Sequence, residues 1–209
     1  MPFAEPGTTI TDYLMGVQAL FYASLLYIIG RKQTSVLLWC VAMLDVAAAS
    51  FLGGTHHGFP PADGTGPNLL WPITIFLFAY LSLFMCCGAA LSSIHNPARR
   101  FFLVVFVLKF LAFLFYLGTR KDLQFSDITW DYVPALLCVL FFKLYSKYAR
   151  RDVSANWIIA GVVFSLIALP VQASGFVVNE WFNHNVLFHL IQMVALHCFY
   201  NGGRYMKDL

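Results

Sequence analysis

Histidines gather at two places in the chain. His56 and His57 close one long apolar run, and His184 and His189 open another, interleaved with Asn183, Asn185 and Gln192. Imidazole is the commonest zinc ligand, and three imidazoles plus a water make a hydrolytic zinc centre. Such a centre lowers the pKa of its water towards ~7 and polarises a carbonyl. On a helix, Asn185, His189 and Gln192 share one stripe, as do Ser50, Gly53 and His57, whereas His56 points about 100° away from its neighbour. His57 and His189 are therefore two expected ligands. The third is His184, where the helix starts irregularly enough to bring it round, or His56, where the earlier run unwinds. Ser50, Asn185 and Gln192 are the candidate catalytic or oxyanion partners, and Glu180, Asp12 or Asp63 the candidate base. Helix-to-helix hydrogen bonding is the competing explanation for the same polar groups.

The elements that hold these residues are set by composition. The 209 residues are 60% hydrophobic and only 11% charged, against roughly 25% charged in a soluble domain. A membrane-spanning helix takes about 20 mainly apolar residues. Seven runs qualify: Thr11 to Ile29, Ser35 to Gly54, Leu69 to Ile94, Phe101 to Gly118, Trp130 to Tyr145, Asn156 to Val171 and Asn185 to Tyr200. The expected fold is all-α, a seven-transmembrane-helix bundle forming one integral membrane domain over residues 1–209. The fifth run and the last two are short, with Lys143 placed to snorkel. Glu5 and Asp12 stand where a secretory signal would carry basic residues, so the first helix is expected to stay.

Basic residues fix the orientation. Arg31 and Lys32, Arg99 and Arg100, Lys143 to Arg151, and Arg204 and Lys207 fall on one side of seven crossings, which puts the amino terminus outside and the carboxy terminus in the cytoplasm. These cations are topology anchors without a continuous patch, so no nucleic-acid partner is expected. With that orientation the second run travels outward and the seventh inward, and His57 and His189 reach similar depth at the outer face.

Other polar residues have simpler readings. Thr9 with Asp12 three places on resembles a capping box, although Glu5 or Asp12 could also reach a site at the outer face. Asp45 and Lys109 lie at comparable depth in the second and fourth runs and are expected to pair, since a lone charge there costs at least ~2.5 kcal/mol. The loop from Phe59 to Asn68 is rich in helix breakers, and Pro170 is expected to end the sixth run. Five cysteines without C-x-x-C spacing read as buried hydrophobes. No P-loop, G-x-S-x-G or H-E-x-x-H pattern is present, and no lysine in the seventh run can carry a retinal Schiff base.

Seven runs, a histidine closing the second and the motif Asn185-x-x-x-His189 opening the seventh resemble the superfamily of alkaline ceramidases and progestin and adipoQ receptors. Members hold zinc with one histidine from helix two and a His-x-x-x-His pair from helix seven. His57 matches the former and His189 the second half of the latter. Asn185 stands at the first position of the pair with His184 one place early, Gly53 stands where helix two usually has serine, and the third run has no aspartate. Gly-Gly-Thr-x-His-Gly-Phe with Asn-His-Asn-x-x-x-His also looks like a distant bacterial membrane family, which implies a bacterial inner (plasma) membrane. The function implied is zinc-dependent intramembrane hydrolysis of a lipid amide or ester, the lipid entering sideways from the membrane. The alternative is a non-enzymatic membrane protein, a homo-oligomer, a subunit of a larger assembly or a ligand-sensing bundle, whose His/Asn cluster is structural.

Overall fold

The computed structural model describes residues 4–30, 32–59 and 69–209. Seven helices run as α1 (Pro6–Gly30), α2 (Thr34–Gly58), α3 (Leu70–Ser93), α4 (Ala98–Thr119), α5 (Phe125–Arg150), α6 (Val153–Ala173) and α7 (His184–Gly203), with a small antiparallel hairpin of β1 (Val177–Asn179) and β2 (Phe182–Asn183) before α7. The first six are long and apolar enough to cross a membrane. Contacts close a ring in the order α1, α2, α3, α5, α6, α7 and back to α1, while α4 packs on α3 outside the ring. Exposed Phe101, Leu108 and Phe115 leave α4 largely uncovered by protein. The expected loop from Phe59 to Asn68 lies, beyond Phe59 itself, outside the described residues, as does Asp63.

The helices differ from the apolar runs in ways that polar side chains explain. α1 begins at Pro6, whose missing N–H costs nothing in a first turn. The Thr9 hydroxyl donates to the Glu5 carbonyl at 2.8 Å, so no capping box forms and Asp12 is left to turn inward. α5 starts five residues before its apolar run because Asp127 accepts the Gln124 backbone N–H at 2.7 Å and the Tyr116 hydroxyl at 2.7 Å. It also continues to Arg150, so the expected short fifth run is a 26-residue helix. Pro170 is accommodated inside α6, which ends at Ala173.

Lys109 pairs with Asp131 of α5 at 2.7 Å and donates to the Asp131 carbonyl at 3.1 Å, not with Asp45 as expected. Similar depth pointed to Asp45, but depth does not say which helix lies beside α4. Lys143 does not snorkel. Its side chain is 0% exposed, and Nζ reaches Ser92 Oγ at 2.8 Å, Ser154 Oγ at 3.1 Å and Asp152 Oδ2 at 3.3 Å. Burial alone would raise the Asp152 carboxyl, but the Lys143 ammonium and the bonds from Ser154 hold it below the usual carboxylate range.

The core is aromatic and tight. Trp39 of α2 lies against Phe199 of α7 with ring centroids 5.4 Å apart, in space left by Gly88, where an added Cβ would come within 2.4 Å of the indole. All five cysteines are free.

Candidate functional site

Close helix approach builds the site. At Gly54 an added Cβ would meet Asp12 Cβ and the Tyr13 ring at 2.9 Å, so this glycine lets α1 and α2 approach and brings Asp12 beside the end of α2. Asn183 caps α7 by accepting the Val186 N–H at 3.1 Å, which fixes the phase of the next two turns. Asn185, His189 and Gln192 consequently face inward together, and all three are buried.

His189 sits between two residues of α1. Its Nε2 lies 3.3 Å from Asp12 Oδ1 and its Nδ1 lies 2.9 Å from Thr11 Oγ. The Thr11 hydroxyl is also 2.9 Å from the Gly7 carbonyl and 3.0 Å from that of Thr8. A hydroxyl has one hydrogen, and with that hydrogen donated into the helix, Thr11 faces Nδ1 as an acceptor and Nδ1 carries a proton. Nε2 and Asp12 then hold one hydrogen between them. Such a pair can pass a proton to a group seated beside it.

His57 forms the second pair, Nδ1 lying 3.3 Å from Glu5 Oε1. The hydrogen bond from His57 pulls the Glu5 carboxyl down to about 2. Glu5 Oε2 accepts the Asn185 amide at 3.2 Å, and the Asn185 carbonyl accepts Gln172 Nε2 at 2.7 Å. Ser165 donates to Gln192 Oε1 at 3.0 Å, which orients that amide; among the described residues its Nε2 makes no hydrogen bond.

Asp12, His57, His189, Asn185, Gln192 and Ser50 form the polar head of a cavity of about 90 Å³, room for several waters or a small headgroup. Its apolar wall continues past Met15, Met43 and Met85 to Trp39 and Phe199. His57 and Trp39 both line it, 18 residues apart on α2, roughly 27 Å at ~1.5 Å per residue.

Three of the expected site residues lie elsewhere. His184 turns to the hairpin, its Nδ1 3.1 Å from the Phe176 carbonyl, because capping by Asn183 starts α7 regularly. His56 stacks on Trp71 with centroids 5.6 Å apart, and Glu180 is exposed at the hairpin turn. Among the described residues no three His, Cys, Asp or Glu side chains are arranged to hold a metal ion. His57 and His189 instead each have one carboxylate partner, so these residues do not make up the three-imidazole set.

Thr11, Ser165 and Gln172 join the site without having been singled out in the sequence. Their one signal was polarity inside or at the edge of apolar runs, where a partner is needed.

With this geometry in place, comparison with protein families is decisive on one point. The chain belongs to a family of unknown function, DUF6962. The family model matches residues 7–208, so it takes in both Asp12 and the motif that opens α7. No curated protein and no solved structure matches.

Proposed function

We propose that this DUF6962 chain is an integral membrane protein that seats an amphiphilic lipid between its helices and hydrolyses an amide or ester bond beside the headgroup. The observation that carries the reading is the cavity that joins the Asp12, His57 and His189 head to an apolar wall, a lining that from His57 to Trp39 is about as long as a bilayer's hydrocarbon is thick. Three flexible methionines on that wall let it widen around a chain. Six helices of spanning length and composition support the membrane location. Lys32, Arg99, Arg100, Arg204 and Lys207 lie at the end of the bundle opposite the cavity head, which supports a cytoplasmic carboxy terminus and an outward-facing site.

In this reading Asp12, backed by His189, takes a proton from a water while that water's oxygen bonds to the carbonyl carbon. Gln192 donates to the carbonyl oxygen. The C–N or C–O bond then breaks, and the Asp12–His189 pair returns the proton to the departing amine or alcohol. No metal step is required of these residues.

Purified protein in nanodiscs, supplied with a fluorescent long-chain N-acyl amine and the matching ester, tests both halves. Saturable binding that Met85→Trp abolishes by filling the shaft, with turnover that Asp12→Asn abolishes, is the expected result. Binding without turnover would reduce the protein to a lipid sensor. No binding would make the cluster a packing device.

A further inference from the structure

A second pocket lies at the other end of the bundle, lined by Ser92, Arg150, Arg151, Asp152, Val153 and Lys207, with a volume of about 270 Å³. Asp152 is already committed: Oδ2 faces Lys143 at 3.3 Å and Ser146 at 3.1 Å, while Oδ1 accepts the Ser154 N–H at 2.9 Å. Among the described residues Arg150, Arg151 and Lys207 are in no ion pair. Three cations therefore surround a cavity whose one carboxylate is neutralised from beneath.

The backbone beneath these cations is fixed, and Arg150 is also held by its side chain. Arg150 Nη1 donates to the Ser92 carbonyl at 3.1 Å, which pins the guanidinium over the end of α3 and leaves its other donors available. Arg151 ends α5 in the left-handed conformation, with φ 54°. Lys207 sits on a tail fastened on both sides. Met206 is buried, and the Asp208 carboxylate accepts the backbone N–H groups of Thr34 at 2.6 Å and Ser35 at 2.8 Å. The Leu209 N–H bonds the Leu91 carbonyl at 3.1 Å.

We propose that this pocket binds a phosphate group, the phosphodiester of an anionic lipid headgroup or inorganic phosphate. Guanidinium forks match phosphate oxygens in pairs, and Lys207 adds a point charge. Basic pockets at the cytoplasmic ends of membrane helices take such headgroups.

The test uses the full chain in detergent and in nanodiscs. Retention of phosphatidylglycerol against phosphatidylcholine is measured by native mass spectrometry, and inorganic phosphate is titrated separately while thermal unfolding is followed. The variants are Arg150→Gln/Arg151→Gln/Lys207→Gln together, Lys207→Gln alone, and Lys121→Gln at the opposite end as the control. Preferential phosphatidylglycerol binding should weaken about a hundredfold in the triple variant and about fivefold in Lys207→Gln, on ~1 kcal/mol per cation, and stay unchanged in the control. Stabilisation by millimolar phosphate without lipid preference would assign the same site to the free anion. Equal retention of both lipids with no phosphate effect, or binding unchanged in the triple variant, overturns the proposal. Should the triple variant fail to fold, Lys207→Gln, exposed and on a tail fastened by its neighbours, decides.

Discussion

Lys143 at the basic end and His189 at the opposite end are buried alike, with side chains 0% and 8% exposed, yet their surroundings differ. Around Lys143 the protein supplies every partner: two serine hydroxyls and Asp152 take its ammonium hydrogens, and although Ser92 and Asp152 border the basic pocket, Lys143 itself does not. Around His189 the partners are Thr11 and Asp12, and both His189 and Asp12 face a cavity. A buried charge must be paired wherever it lies. The Lys143 ammonium is spent wholly on holding α3, α5 and α6 together, while the His189–Asp12 pair is itself turned towards open space, the arrangement of a site that receives something.

Breaking the closed cluster should cost most. Lys143→Ala leaves Asp152 without its cation and is expected to lower stability by about 3–5 kcal/mol, read as a lower unfolding midpoint, with lipid binding retained in the folded fraction. Equal losses of stability in Lys143→Ala and Asp12→Asn would erase the distinction between the clusters. At the open cluster, Asp12→Asn should instead cut turnover by about 10²–10⁴-fold with little change in unfolding temperature.

Adjacent glycines sharpen the contrast. Gly54→Ala pushes a methyl into Asp12 and Tyr13 and should cost ~1–3 kcal/mol. At Gly53 an added Cβ lies at an ordinary 3.5 Å from Asp12 Oδ2, so Gly53→Ser should fold normally and alter turnover alone, as the paired unfolding and activity assays would show.

Glu5 gives a smaller, pH-dependent effect. Its carboxyl is held near 2 in the folded chain, below its usual value of 4.5, so the stability it contributes is present above about pH 4.5 and is lost as the pH falls towards 2. The group is 41% exposed, and screening keeps the effect small. Unfolding midpoints of wild type and Glu5→Gln should converge over that acid range. Smallest of all, chelation should leave turnover unchanged, because among the described residues no three His, Cys, Asp or Glu side chains converge; its loss on chelation, with recovery on added zinc, would overturn the metal-free route.

Much of the frame was legible in residue types. Seven apolar runs matched seven helices, and the opposite travel of α2 and α7 placed His57 and His189 at one level. Lateral neighbours were not legible, because depth says nothing about which helices touch. Lys109 therefore found Asp131 where Asp45 was expected. Helix ends were obscured wherever polar residues lay inside helices, as with Asp127 and Lys147 in α5. At the site, the histidine spacing showed which residues share a face. The start of α7 depended on a single cap at Asn183, and that cap sent His184 away.

The ring closes only when the last helix meets the first. Thr11 and His189 are 178 residues apart, and Asp208 reaches back 174 residues to the start of α2. During synthesis Asp12 must wait in a half-built bundle until α7 emerges, and the amides at the head of α2 wait longer still. Ribosome-stalled chains lacking α7 would hold Asp12 without its His189 partner, a state that an insertion chaperone or a quality-control protease can distinguish from the folded protein. Closure of the ring and completion of the site are thus one event.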